Sequence, residues 1–221
     1  MPIARFSDES PKYAKLREEL QQAEVALRDQ RERVAALRRA LPRDHFVEDL
    51  VFQELRDGQP APVTLSELFN DPAKPLILMQ FMYGKSQESP CPMCTAFADG
   101  YDGAMPHITE TANFAVLVAG DIAAFADYAR ERGWQHLRLV SAGDADLKRD
   151  LGFEDADGRQ NPGVSIFERH ADGRVSHFYS QSALLGAEGF RGMDLLSPIW
   201  HFLDLLPEGR GDFFPSRSYG G

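Results

Sequence analysis

The chain has 221 residues, of which 43% are apolar and 10% aromatic, so it has enough apolar side chains for a substantial core. Its net charge of −10 argues against nucleic acid as the main partner. No segment near the amino terminus resembles a secretory leader, and no stretch is long and apolar enough to cross a membrane. We therefore expect a cytoplasmic protein with no membrane partner.

The first predicted element is a long helix, which can start at Ser10-Pro11 and must end at Pro42. Side chains along it recur at alternating spacings of three and four residues, which forms a heptad seam of about four repeats. The seam consists of Tyr13, Leu16, Leu20, Ala23, Leu27, Gln30, Val34, Leu37 and Leu41. An apolar seam needs a partner, and we favour a homodimer through residues 1–43. Antiparallel packing on its own domain and docking of another protein are the alternatives.

Two short strands and a one-turn helix capped by Ser66 are expected before a central strand at residues 76–83. The central apolar run is short and lies between Pro75 and Gly84. Those limits favour a buried strand over a helix.

A polar loop then leads to Cys91-Pro92-Met93-Cys94. Pro92 suits the first turn of a helix, so Cys91 should lie at the helix N-terminus, where unpaired N–H groups and the dipole favour a thiolate. Cys94 lies one turn further on the same face and can close a disulfide. The stretch therefore outlines a thiol–disulfide exchange site. We expect its helix to fade near Gly100 or Gly103.

A metal site is the main alternative for these cysteines. They are the only two in the chain, so a site with four thiolates cannot form within one subunit. Two of His107, His136, His170, His177 and His201 could complete a zinc site, but none of these pairs has the spacing of a zinc finger. The pattern favours redox chemistry, with no metal and no cofactor.

The remaining elements alternate in type and then form a hairpin. In chain order they are a buried strand at 113–119, a helix capped by Asp121 and closed by Gly133, a strand at 137–140 and a short helix capped at Asp144. This alternation of strands and helices predicts parallel pairing of the strands. Two strands at 163–168 and 174–179 flank a turn at Gly173. A last helix starts at Ser197-Pro198, and residues 208–221 are expected to form a loose tail. The predicted buried face of this last helix consists of Ile199, Phe202, Leu203 and Leu206.

Several segments carry a resemblance to known proteins. Residues 77–83 resemble the thioredoxin strand that leads to the active site, 162–167 resemble the strand introduced by that family's cis-proline, and 62–69 resemble the start of redoxins and peroxiredoxins. Residues 38–42, 80–84, 91–100, 177–180 and 194–196 are similar to the bacterial thioredoxin-like family catalogued as domain of unknown function 899. The resemblance covers about residues 10–210. It implies an α/β thioredoxin-like three-layer sandwich with a mixed central sheet at 44–207, preceded by the long N-terminal helix.

The resemblance also implies roles for individual residues. Cys91 would attack and Cys94 would resolve, while Tyr83, Pro92, Met93 and Pro162 would border the substrate groove. Whether Pro162 is cis or trans stays open.

Two positions depart from the resembled families. Gln80 stands where thioredoxins keep a buried acid, so deprotonation of the resolving thiol needs another base or solvent. Glu88 stands three residues before Cys91, where peroxiredoxins have a threonine before their reactive cysteine.

These features predict a thiol–disulfide oxidoreductase that acts on a protein or small-molecule disulfide. One alternative is a thiol peroxidase, in which Cys91 reduces a peroxide through a sulfenic acid. The other is a non-enzymatic dimeric module for redox sensing or scaffolding, in which the heptad helix is the working part.

Overall fold

The computed structural model describes residues 8–186 and 191–218. The chain divides into two units, Met1–Pro42 and Arg43–Gly221. Every helix in the described ranges is too short or too polar to traverse a bilayer.

The first unit is the helix α1, Pro11–Arg39. Its start follows the predicted cap, because the Tyr13 N–H donates to the Ser10 hydroxyl at 3.2 Å and Pro11 occupies the first turn. None of its residues is buried. The seam residues Tyr13, Leu16, Leu20, Leu27 and Leu37 are all more than half exposed.

The second unit is built on a mixed sheet of eight strands, in the spatial order β1-β8-β7-β4-β5-β6-β2-β3. The strands are β1 Phe46–Val47, β2 Val51–Arg56, β3 Gln59–Thr64, β4 Leu76–Gln80, β5 Asn113–Val118, β6 Leu139–Ser141, β7 Gly163–Arg169 and β8 Val175–Ser182. β4, β5 and β6 are parallel neighbours, as predicted. β7 pairs antiparallel with the other side of β4, and β8 completes the predicted hairpin.

The helices follow their local signals. They are α2 Pro92–Ile108, α3 Ile122–Arg132, α4 Leu147–Asp150 and α5 Pro198–Leu203, with 3-10 turns at Leu65–Leu68 and Arg191–Leu196. Asp121 caps α3 by accepting the Ala124 N–H at 2.8 Å. Gly133 closes α3 with φ of 78°, a conformation that glycine adopts without a steric penalty.

The two faces of the sheet carry separate apolar clusters, because successive strand residues point in opposite directions. Met79 and Phe81 of the central segment pack with residues of α2, α3 and α5. Leu78 belongs to the other cluster, with residues of α4 and the first 3-10 turn. Helical layers on both faces of a mixed sheet confirm the α/β thioredoxin-like class.

Helix α2 is longer than predicted. It continues past Gly100 and Gly103 to Ile108. Its apolar stripe continues as well: Phe97, Tyr101, Met105 and Ile108 lie in, or pack on, the cluster beneath the helix. Burial of this stripe therefore outweighs the low helix propensity of two glycines.

Three smaller expectations were also wrong. Thr64, not Ser66, precedes the first 3-10 turn, and Asp146, not Asp144, precedes α4. Helix α5 buries Trp200, whereas Phe202 and Leu206, placed on the predicted inner face, are 68% and 51% exposed. A helix of six residues has too few turns for its spacing to define one face.

The C-terminal segment, for which we predict a loose tail, makes specific contacts over its described part. Arg210 forms ion pairs with Asp194 and Asp204 and lies over the Trp200 ring at 4.9 Å. The Arg217 carbonyl accepts a hydrogen bond from Arg132 at 2.7 Å, so the described part of this segment contacts α3 near its C-terminal end. Residues 219–221 of the predicted tail lie outside the described residues.

Candidate active site

Cys91 occupies the N-cap position of α2, with Pro92 in the first turn, as the sequence predicts. Its backbone is fixed from both sides. The Cys91 N–H donates to the Met82 carbonyl at 3.1 Å, and the Cys91 carbonyl accepts from the Thr95 N–H at 3.0 Å and the Thr95 hydroxyl at 2.9 Å. The side chain is partly buried, so the thiol stays near the surface at the positive end of the helix.

Cys94 lies behind Cys91 and is only 2% exposed. Its sulfur accepts a hydrogen bond from the Met82 N–H at 3.5 Å. Both cysteines are free thiols in this structure. The segment after β4 therefore holds both of them, since Met82 contacts Cys91 through its carbonyl and Cys94 through its N–H.

The pKa values of the two thiols move in opposite directions. A hydrogen bond from the Cys94 thiol lowers the pKa of Cys91 to about 6, with smaller help from the backbone N–H groups of Cys94 and Met93 and from the Arg217 charge, and against the effect of burial. Burial, followed by the hydrogen bond and the charge of Cys91, raises the pKa of Cys94. These opposite pKa shifts favour a thiolate at the outer cysteine and a thiol at the inner one near neutral pH.

A chain of hydrogen-bonded polar side chains, of which Lys148, Gln80 and Ser165 are buried, lies on the face of the sheet opposite α2. Lys148 of α4 donates to the Gln80 side-chain oxygen at 3.4 Å and to the Phe81 carbonyl at 3.3 Å. The Gln80 amide donates to the Ser165 hydroxyl at 3.1 Å. Ser165 contacts Ser180 at 2.8 Å, and Ser180 contacts His177 at 2.8 Å. His177, one of the histidines considered for a zinc site, is therefore hydrogen-bonded to Ser180.

The residues expected around a substrate groove occupy different environments. Pro92 and Met93 are partly buried beside the thiols. Tyr83 is 9% exposed, and its ring stacks on Phe125 with centroids 5.9 Å apart, so it lies in the core beneath the site. Contact with a substrate stays a prediction for all four residues, Tyr83, Pro92, Met93 and Pro162.

Pro162 lies at the same end of the sheet as the cysteines, since the next residue, Gly163, pairs with Gln80 at the end of β4. No peptide bond in the described residues is cis, so Pro162 is trans, one of the two alternatives that the sequence leaves open. The Pro162 carbonyl accepts a hydrogen bond from the Ala183 N–H at 3.0 Å, so the residue before β7 is linked to the residue after β8.

Two charged residues near the thiols escaped the sequence prediction. Lys148 follows the inward-facing Leu147 on a four-residue helix, and a lysine there carries no sequence signal of burial. Arg217 acts on Cys91 from the far end of the chain. Lys85, in the loop before Cys91, pairs with Asp144 at 3.4 Å.

Within the described residues, neither a metal-ligand cluster nor the cavity beside the β2–β3 hairpin involves the thiols. In residues 8–186 and 191–218, no three His, Cys, Asp or Glu side chains come together in a way that could hold a metal ion. A cavity of about 410 Å³ lies between the β2–β3 hairpin and the loop that contains Gly143 and Asp144. Because it includes neither cysteine, it is not a substrate groove for them.

The family described as "Bacterial protein of unknown function (DUF899)" matches residues 5–219. The chain belongs to this family. Among curated proteins, none matches the DUF899 chain.

Solved structures similar to the DUF899 chain include peroxiredoxins. Reduced Prx3 of Vibrio vulnificus in complex with H₂O₂ is 14% identical over 73% of this chain and 98% of that chain, with a TM-score of 0.49. The mitochondrial 2-Cys peroxiredoxin of Plasmodium falciparum is 14% identical over 79% of this chain and 100% of that chain, with a TM-score of 0.47. At TM-scores below 0.5, these similarities do not bear on the activity of the DUF899 chain.

Proposed function

We propose that this protein is a thiol–disulfide oxidoreductase in which Cys91 attacks and Cys94 resolves. The observation that carries the proposal is the asymmetry of the pair. Cys91 is partly buried at a helix N-terminus with a pKa lowered to about 6, first of all by the hydrogen bond from Cys94, while Cys94 is 2% exposed and its pKa is raised. A nucleophile on the outside and a protonated thiol behind it suit a two-step exchange.

The reaction transfers two electrons from the thiols to a disulfide. The Cys91 thiolate attacks one sulfur of the substrate disulfide, the substrate S–S bond breaks, and the first substrate thiolate leaves. Cys94 then gives its proton to solvent and attacks the Cys91 sulfur in the mixed disulfide, the bond between Cys91 and the substrate sulfur breaks, and the second substrate thiolate leaves. The products are two substrate thiols and a Cys91–Cys94 disulfide, which a dithiol donor must reduce for turnover. We place this reaction in the cytoplasm, where dithiol donors are present.

The test is a stopped-flow reaction of reduced protein, in excess, with an aromatic disulfide whose thiolate is coloured. We expect two thiolates per disulfide from the wild type, one from Cys94→Ala, and none from Cys91→Ser. At pH 6 the first step should be about tenfold faster than that of free cysteine, because the larger thiolate fraction outweighs the lower intrinsic nucleophilicity.

The reaction with hydrogen peroxide under the same conditions tests the main alternative, which is a thiol peroxidase. The Thr95 hydroxyl, one turn from Cys91, donates to the Cys91 carbonyl at 2.9 Å and lies 2.9 Å from the Tyr128 hydroxyl, so its proton is not directed at the Cys91 sulfur. We therefore expect slow oxidation by peroxide. Fast peroxide reduction with slow disulfide exchange would establish the thiol peroxidase instead, and slow reaction with both reagents would favour a non-enzymatic module.

A further inference from the structure

Lys148 is the most deeply buried charged group next to the candidate site, with 1% exposure. Within the described residues no carboxylate lies at ion-pair distance from its ammonium group. Its hydrogen-bond acceptors are two neutral oxygens, the Gln80 amide at 3.4 Å and the Phe81 carbonyl at 3.3 Å. Burial of a lysine without a charged partner is costly, so its position calls for an explanation.

The Phe81 carbonyl and the Met82 N–H belong to one peptide group. Lys148 donates to the oxygen of this group, and the N–H at its other end donates to the Cys94 sulfur at 3.5 Å. In a planar peptide, a cation at the oxygen draws electron density from the nitrogen and strengthens the N–H as a donor. One peptide group thus connects the ammonium to the sulfur of the inner cysteine.

We propose that Lys148 is a positioning residue for the resolving step, and that its ammonium group, acting through the Phe81–Met82 peptide, stabilises the Cys94 thiolate. This inference rests on the proposed thiol–disulfide exchange. In that exchange Cys94 loses its proton to solvent as its sulfur bonds to Cys91. Negative charge develops on the Cys94 sulfur during this step, and the Met82 N–H strengthened by Lys148 stabilises it.

The charges around Lys148 agree with this role. The Lys148 charge lowers the pKa of Cys94 against the larger effect of burial. Burial lowers the pKa of Lys148 itself to about 8, while the charges of Cys94 and Glu154 oppose that decrease. Lys148 is therefore mostly protonated at neutral pH and can act as a cation. A buried acid at position 80 would have the opposite effect on Cys94, and Gln80 avoids that conflict.

The experiment follows both steps in the stopped-flow reaction with the aromatic disulfide. The first thiolate reports attack by Cys91 and depends on protein concentration, whereas the second reports resolution by Cys94 and does not. In Lys148→Met, we expect the first step to stay within about twofold of the wild type. The second step should slow about tenfold at pH 7, with its pH midpoint about one pH unit higher. Lys148→Arg, which keeps the cation, should restore part of the rate.

A second variant avoids a change at the buried position. Glu154→Gln removes a charge that keeps Lys148 protonated, so its second step should slow at about pH 8 with the first step unchanged. If Lys148→Met does not fold, the rates of Glu154→Gln test the role of Lys148. An unchanged rate and pH midpoint of the second step, in either folded variant, would overturn the role of Lys148.

A further measurement separates this inference from the proposed function. In Cys91→Ser, the pKa of Cys94 is read from the ¹³Cβ chemical shift without any redox reaction. Adding Lys148→Met, or Glu154→Gln where that variant does not fold, should raise this pKa. A wild type that releases no second thiolate would reject the proposed exchange and with it the resolving role of Lys148. An unchanged Cys94 pKa would reject the electrostatic link alone.

Discussion

Cys91 and Cys94 are separated by one helical turn, yet their surroundings give them different chemistry. Cys91 lies at the end of the helix, where backbone N–H groups point at its sulfur, and Cys94 is enclosed by the core. The inner thiol is also the principal hydrogen-bond donor to the outer one. The reactivity of Cys91 therefore depends on the protonation state of Cys94 as well as on the helix.

This dependence predicts that Cys94→Ala raises the pKa of Cys91. Loss of the strongest stabilising hydrogen bond should move the midpoint from about 6 upward by about one pH unit, while the helix N-terminus keeps it below that of free cysteine. The rate of iodoacetamide alkylation against pH, followed by mass spectrometry, measures the midpoint. Cys94→Ser is the matched control, because its hydroxyl can still donate and the shift should be smaller. An unchanged midpoint in Cys94→Ala would mean that the helix N-terminus alone activates Cys91.

At the scale of elements, two carboxylates of α2 hold the chain at the end of α3. Asp99 forms an ion pair with Arg132 at 2.5 Å and accepts the Trp134 ring N–H at 2.7 Å. Asp102, one turn further, accepts the backbone N–H groups of the three residues that follow Trp134, at 2.7 to 3.2 Å. Arg132 also binds the Arg217 carbonyl, so this network connects the cysteine-bearing helix to the C-terminal segment.

Asp99→Asn should therefore destabilise the fold by about 3 kcal/mol, because it removes the charge of Asp99 from an ion pair in which the Arg132 side chain is only 9% exposed. Chemical denaturation of the reduced protein measures this change. Asp127→Asn on α3 is the control, since its partner Arg130 is 74% exposed and the pair should contribute less than about 0.5 kcal/mol. Equal losses of stability in the two variants would contradict the structural role of Asp99.

The elements that the sequence predicted well are those with local signals. Ser10, Asp121 and Gly133 define helix ends through contacts within one turn, and the run at 76–83 is apolar enough to be assigned as a buried strand without knowledge of its neighbours, although β4 ends at Gln80. The candidate thiols were found for the same reason, because proline and two cysteines within four residues fix the start of a helix. The far end of α2 was missed because the sheet, not the helix sequence, determines it.

The surroundings of the thiols were less predictable, because they come from distant parts of the chain. Lys148 meets Gln80 and Phe81 only after α4 packs on the face of β4 opposite α2. Arg217 acts on Cys91 across more than half of the sequence. Gln80 gave a partial indication of polar surroundings, since a buried amide requires polar partners. Its sequence position does not reveal which residues supply those partners.

At the scale of the whole molecule, the long helix is the main feature that the proposed chemistry does not use. The apolar side chains of α1 at Leu16, Leu20 and Leu27 are each at least 51% exposed, and they belong to a seam with strict heptad spacing. Such a seam is the usual contact surface of a coiled coil, where side chains of one helix insert between those of another. We propose that two copies of this chain associate through α1.

This proposal predicts a dimer for the full chain and a monomer for residues 43–221 in sedimentation velocity. Leu20→Glu with Leu27→Glu should also give a monomer, because two buried charges at the centre of the seam would face their own copies in the partner. Glu18→Gln with Arg31→Gln, two substitutions outside the seam, is the control and should leave the dimer intact. The thiol exchange rates of the monomeric double variant should match those of the wild type, since both cysteines belong to the second unit. A dimer that survives removal of residues 1–42 would show that the contact lies elsewhere.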